Sequence, residues 1–336
     1  MDLLNALVAL TNFVLVPATA YAAQLSLGAL GVTLTVAVLR FTNIAHGDTM
    51  AFGTMITILC TWGLQSLGIS AGPLPTALLA LPFGIAATAW LLLATDRVVY
   101  RFYRQQRVSS AILLIVSIGV MFVMNGLVRF VIGVDDVRFD DGARFLIDAR
   151  SFREMTGLDE GLAIRSTQAV TVVTAAITVA ALFWFLARTR TGKAMRAFAD
   201  NEDLALLSGI DPDRVVRITW ILVAGLATIA GTLYGLDKSF KAFTYFQLLL
   251  PIFAAAIVGG LGSPIGAVAG GFVVAFSEVG LTYAWKKVLT YLVPAGMAPD
   301  GLVQLLGTEY KHAVSFVILV LVLLIKPTGL FKGTAT

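Results

Sequence analysis

Charge is scarce in this chain: Asp, Glu, Lys and Arg make up 13% of its 336 residues, against about a quarter in a water-soluble globule. A soluble globular fold is excluded on that ground alone. The lone cysteine, Cys60, sits inside an apolar run, which rules out an internal disulfide and a Cys-rich metal site. It reads as a small buried hydrophobe. With two histidines and no H-E-x-x-H, the chain has no ligand set for a zinc site of its own. It also has no G-x-x-x-x-G-K-[ST]: the nearest piece, Thr191-Gly192-Lys193-Ala194, lacks the upstream glycine and the hydroxyl residue that would touch magnesium. No P-loop nucleotide site follows. The glycine cluster at 259–266 misses G-x-G-x-x-G by one position and lies in an apolar hairpin, so a dinucleotide site is excluded too.

What the chain has is apolar length. It is 58% hydrophobic with a mean hydropathy of +0.88, the signature of an integral membrane protein. A spanning helix needs roughly 20 apolar residues. Spans are expected near 18–39, 49–67, 74–95, 109–133, 168–187 and 217–236, then a broken pair near 248–261 and 265–284, and a last one near 313–325. The fold class is all-α, a polytopic transmembrane bundle of about 8–10 spans in a single domain, 1–336. The apolar run 3–16 ends at Pro17 and is a further span, a re-entrant piece or a helix on the membrane surface. With no basic n-region before it and no cleavage site after it, it does not read as a removed signal peptide.

Orientation follows from Arg and Lys. The loop at 96–107 holds Arg97, Arg101, Arg104 and Arg107 against one acid, and 188–217 holds six basic residues. Both are expected in the cytoplasm. The net charge of +4 is thereby explained by the bilayer, and nucleic acid is not an expected partner. The loop 134–166 carries Asp135, Asp136, Asp140, Asp141, Asp148, Glu154, Asp159 and Glu160 and falls on the opposite, outer side of the membrane, as does 285–312. Lys326 and Lys332 return the C-terminus to the cytoplasm.

Small residues recur at helical spacing, Ala227, Gly231 and Gly235 in one span and Gly262, Gly266 and Gly270 in another. Such stripes serve close helix packing. Alternatively, the interruption through Gly259, Gly260, Gly262, Ser263 and Pro264 breaks a hairpin at membrane depth and lines a solute path. A second interruption, Thr42-Asn43-Ile44-Ala45-His46-Gly47-Asp48, precedes a small-residue helix. Asn43 and His46 are path candidates. His46 with Asp48 is either a proton relay or a helix start with Asp48 as N-cap and the imidazole bonded to backbone. Glu278, inside an apolar run, is an interfacial acid paired with Lys286 or Lys287, or a wall of the path.

The polar stretch 188–217 carries helix punctuation. Asp200 is a candidate N-cap, Glu202 and Asp203 suit a helix N-terminus, and Gly209 supplies a left-handed stop, giving a short helix at 201–208 from Asn201. Asp211 caps the next helix, with Pro212 at its first position. So short a helix is marginal in water unless docked. Leu204, Leu207 and Ile210 offer apolar atoms for docking, and the stretch reads as a surface for a cytoplasmic partner.

Several pieces together resemble a known family. They are Thr42-Asn43-Ile44-Ala45-His46-Gly47-Asp48, Gly192-Lys193-Ala194-Met195-Arg196-Ala197, ALLSGIDPD at 205–213 with Arg214, VGGLGSPIGAVAGG at 258–271, Thr308-Glu309-Tyr310-Lys311 and Lys326-Pro327-Thr328-Gly329-Leu330-Phe331. In this order the chain resembles the permease subunits of bacterial ABC importers for branched-chain amino acids, the LivH/LivM group, and within it the LivH type. The resemblance implies a type II ABC importer bundle, vitamin-B12-permease-like, in the bacterial inner membrane. It implies pairing with a second permease chain, LivM-like or a copy of itself, with two cytoplasmic ABC ATPase subunits and with a periplasmic binding protein. ATP and magnesium would be bound by the ATPase partners, and this chain would hold no cofactor and catalyse nothing. The ATPase-contacting stretch of the family maps onto 200–211 here. The long outer loop and the segment 285–310 depart from the family pattern, so urea, short amides and small carboxylates stand beside branched-chain amino acids as solutes. An ion-coupled secondary transporter would need more buried ionisable groups than Glu278, Arg129 and His46. A passive channel would leave 201–210 without a purpose.

Overall fold

The computed structural model describes residues 2–139, 142–293, 301 and 303–331. Asp140, Asp141 and Lys332 lie outside the described residues, as does 294–300 within the expected outer segment. The chain opens with one long helix, α1, Asp2–Leu39. The run 3–16 is therefore neither re-entrant nor separate. Pro17 lacks an N–H and would clash with the preceding turn, and a π-helical turn at Thr11–Leu15 widens the helix there so that it passes through. At 1.5 Å per residue α1 is about 57 Å long, well beyond a hydrocarbon core of roughly 30 Å.

The spans continue as α2 (His46–Ser66), α3 (Ala77–Gln105) and α4 (Ser110–Ile132). The outer loop contains a two-stranded antiparallel pair, β1 (Phe145–Ile147) with β2 (Ile164–Arg165), around helix α5 (Ala149–Thr156). Then follow α6 (Ser166–Arg188), α7 (Arg190–Asp200), α8 (Glu202–Leu207), α9 (Pro212–Asp237), α10 (Ala242–Gly259), α11 (Pro264–Thr282), α12 (Lys286–Leu292) and α13 (Thr308–Ile325). Among the described residues eight of these helices are long and apolar enough to cross a membrane. Helix α2 has the length but is less apolar. It does not need to be, because it lies inside the bundle, where Thr49, Thr54, Thr57 and Thr61 return their hydroxyls to the carbonyls one turn back.

The core is built on close backbone approach. A Cβ on Gly231 would meet Thr54 and the Met50 carbonyl, and one on Gly270 would meet the Ala255 carbonyl. Gly259 and Gly266 face each other in the same way. The α10–α11 contact is thus made by Gly259, Gly266 and Gly270; Gly262, expected in that stripe, stands in the turn at φ 84°. Helices α10 and α11 are each 18 and 19 residues long, so the break between them is a turn joining two full spans, not a shortened pair.

Contacts sort the molecule into two ends. At the basic end Arg40 Nη2 donates to the Ala199 carbonyl at 3.0 Å, Arg101 pairs with Asp213 at 3.3 Å and the Leu330 N–H reaches the Val258 carbonyl at 2.8 Å. At the acidic end Asn5 donates to Asp159 at 3.1 Å, Lys287 pairs with Glu160 at 2.8 Å and Val137 bridges Phe240.

Candidate functional site

The polar stretch at the basic end folds into two short helices before the chain returns to the bundle. Thr189 starts α7 by accepting the Gly192 N–H at 2.9 Å, and Met195 and Phe198 bury its inner face. This helix is absent from the sequence-based reading. It carries Asp200 as its last residue, so Asp200 is not an N-cap. The cap is Asn201, whose extended backbone (φ −152°, ψ 108°) lets Oδ1 accept the Leu204 N–H at 3.0 Å. Helix α8 then runs Glu202–Leu207, one residue shorter at each end than expected. Glu202 and Asp203 occupy its first turn, where negative charge suits the helix dipole.

Its end is closed as firmly as its start. Gly209 takes φ 78°, its N–H reaching the Leu206 carbonyl at 3.0 Å and that of Ile210 the Ala205 carbonyl at 3.1 Å, a Schellman-type stop. Asp211 Oδ1 accepts the Asp213 N–H at 3.0 Å and starts α9 with Pro212. Ala205 is buried beneath the helix. Leu204 is 61% exposed and Leu207 85%. Two leucines held outward by caps at both ends form an apolar contact surface in a polar setting.

This surface is tied to the spans. Arg40, in the left-handed region at φ 58°, ends α1 and bonds the last turn of α7 through Ala199. Asp96 accepts two bonds from Arg104, at 2.8 and 3.1 Å, and one from Trp220 Nε1 at 2.8 Å, locking α3 to α9. Tyr100 stacks on Trp220 with ring centroids 5.4 Å apart. Neither Arg40 nor Asp96 was singled out in the sequence. The only signal there was Asp96 as the one acid among four arginines. A cleft of ≈ 520 Å³ separates α7 from the α10–α11 turn, with Lys193, Arg196 and Asp200 on one wall and Gly262 and Pro264 on the other.

The remaining path candidates are scattered through the bundle. Asn43 Oδ1 accepts the Ala45 N–H at 3.1 Å and the Tyr100 hydroxyl at 3.2 Å, so this side chain shapes the turn into α2. His46, fully buried, packs where a Cβ on Gly31 would fall. The helix starts at His46 behind Ala45, and Asp48 is not its cap. It lies inside the first turn and accepts from Asn125 at 2.6 Å. Gly260, at φ 110°, sits against the backbone of Thr328 and Phe331, and Ser263 accepts the Gly266 N–H at 3.1 Å to start α11. Glu278 is fully buried, hydrogen-bonded by Ser315 and paired with Lys311 at 3.6 Å, whose ammonium also lies 3.7 Å from the Tyr21 ring centroid. Its partner is thus Lys311 and not Lys287, which pairs with Glu160 instead. Tyr291 also donates to Glu160 at 2.8 Å; loss of hydration and that carboxylate push its hydroxyl up to about 12. Cys60, expected to be buried, is partly exposed on α2.

A tightly packed bundle of apolar spans, with a short capped helix at its basic end, defines a multi-pass membrane protein. A family model described as branched-chain amino acid transport system / permease component matches residues 14–323. The chain belongs to this family of ABC transporter permeases. The high-affinity branched-chain amino acid transport system permease protein LivH of Escherichia coli is 30% identical over 307 residues, covering 90% of this chain and 89% of that protein. The protein BraD of Pseudomonas aeruginosa, of the same description, is 27% identical over 303 residues, with 90% and 89% covered. A probable LivH of Methanocaldococcus jannaschii is 28% identical over 322 residues, with 95% and 92% covered. Among solved structures, PsaBC from Streptococcus pneumoniae in complex with Fab aligns over 98% of this chain and 93% of that one, at 12% identity and a TM-score of 0.45.

Proposed function

We propose that this chain is the transmembrane subunit of an ATP-driven importer for branched-chain or other hydrophobic amino acids, with α8 as the helix through which ATPase subunits act on it. The carrying observation is the pair Leu204 and Leu207, outward-facing on a helix capped at both ends. If ATP drives it, a chain without a nucleotide motif takes that energy from a partner. The solute is suggested by the branched-chain amino acid transport for which its relatives are named.

In this reading the basic end faces the cytoplasm, together with the C-terminus, and two ABC ATPase subunits bind there with ATP and magnesium. A second permease chain, LivM-like or a second copy, completes a type II pathway, and a periplasmic binding protein docks at the acidic end. ATP-driven closure of the ATPases pushes on α8, and the ties from α7 through Arg40 and from α9 through Asp96 carry the movement into the spans. The bundle then alternates between outward-open and inward-open states.

The test is Leu204→Asp combined with Leu207→Asp. The expected outcome is normal membrane insertion with loss of ATPase co-purification and of uptake. Full co-purification and uptake would remove α8 from the docking surface.

A further inference from the structure

Another cleft at the basic end is set into the side of the bundle between α3 and α9. It measures ≈ 440 Å³ and is lined by Leu93, Asp96, Arg97 and Arg101 of α3 and by Asp213 and Arg217 of α9. Helix α3 widens to a π-helical turn at Asp96–Tyr100, where Asp96 and Tyr100 turn inward to Trp220 and Arg97 stays exposed. Both acids of the cleft already have partners. Asp96 accepts from Arg104 and Trp220, and Asp213 Oδ2 pairs with Arg101 at 3.3 Å. Arg217 donates from Nε to the Asp213 carbonyl at 3.1 Å, which fixes the guanidinium and leaves its terminal nitrogens without a partner among the described residues. Arg97 makes no hydrogen bond or ion pair among the described residues. Two uncompensated guanidinium groups therefore share one cleft, each offering the planar fork of N–H donors that matches a phosphate.

The surroundings of the cleft are apolar. Val98 and Phe102, next to Arg97 and Arg101 on the same turns, are exposed. Trp90 lies roughly 10 Å from Arg97 along α3, and Ile221 roughly 6 Å from Arg217 along α9, both toward the middle of their spans and both exposed. Apolar side chains of this size in the open belong against hydrocarbon. From its outer end inward the cleft thus presents cations and then apolar surface, the order of headgroup and acyl chain in a phospholipid.

We infer that this cleft holds an anionic phospholipid, with its phosphate between Arg97 and Arg217 and an acyl chain along Leu93, Trp90 and Ile221. Basic pockets between spans take such headgroups. Charge complementarity selects an anionic lipid, because a zwitterionic one brings a cation of its own to a cleft with two cations to spare. The lipid bridges α3 and α9, the helices that Asp96 already ties together, and Asp213 places it beside the junction from α8 into α9. The site needs only that the bundle lies in a membrane, so it stands whichever solute the chain carries.

The test uses the full chain purified with its partner permease in neutral detergent and titrated with phosphatidylglycerol or phosphatidylcholine. Native mass spectrometry counts the bound lipid. Phosphatidylglycerol is expected to bind roughly tenfold more tightly than phosphatidylcholine. Arg97→Gln, which breaks no hydrogen bond among the described residues, and Arg217→Gln each remove most of that preference. Arg188→Gln combined with Arg190→Gln takes two exposed charges from the same end outside the cleft and leaves the preference unchanged. A wild-type complex that binds both lipids equally would overturn the site. An equal loss in the two sets of variants would overturn it too, by giving the effect to general surface charge. Displacement of the lipid by inorganic phosphate or by the ATPase subunits would assign the cleft to another occupant and likewise contradict the inference.

Discussion

Glu278 and Lys311 show what a single buried charge demands of its surroundings. The carboxylate is fully buried on α11, and Lys311, 30% exposed on α13, reaches it across a helix interface. Removing one partner of such a pair leaves the other uncompensated. Lys311→Met is therefore expected to destabilise the chain by on the order of 3 kcal/mol, and pairing it with Glu278→Gln to restore part of that loss. Thermal unfolding in detergent reads both. Glu278 stood out in the sequence because it interrupts an apolar run. Its partner did not, because Lys286 and Lys287 are nearer in sequence and only the packing of α13 against α11 brings Lys311 closer in space. In the same way Asp48 read as a cap because an Asp beside a helix start usually is one; the helix in fact begins two residues earlier, and Asn125 claims the carboxylate from another span.

Among the elements, α8 was the most legible and α7 the least. Gly209 and the Asp211-Pro212 pair are strong local punctuation, and both stand where that chemistry places them. The start was misplaced by one residue because Asp200 and Asn201 are both competent caps, and only the extended backbone at Asn201 decides between them. The helix α7 escaped notice because its apolar residues, Met195 and Phe198, are few and find their partners in distant spans. The caps make a comparison possible. Asn201→Ala removes the cap and costs about 1 kcal/mol of a helix only six residues long, enough to weaken ATPase binding roughly fivefold. Asp200→Ala leaves that cap intact and is expected to bind as the wild type does. Titration of ATPase subunits against permease-containing vesicles measures the difference.

At the scale of the whole molecule, the number and order of spans followed from hydropathy because lipid imposes length and apolarity on any crossing helix. Where these constraints relax, the pattern fades. Helix α2 is sheathed by other helices and could afford its threonines, while α1 is longer than a single crossing needs and packs Ala6 and Ala9 on Val288 of α12. In the proposed reading the two-ended distribution of charge orients the bundle, and the capped leucine surface at the basic end is where it is driven. The most direct measurement is leucine accumulation in proteoliposomes that hold this chain with its partner permease, ATPase subunits and binding protein. The account predicts uphill uptake that requires ATP on the side of α8 and stops when the ATPases are left out. Leucine flux that continues at the same rate without ATPase subunits would contradict it.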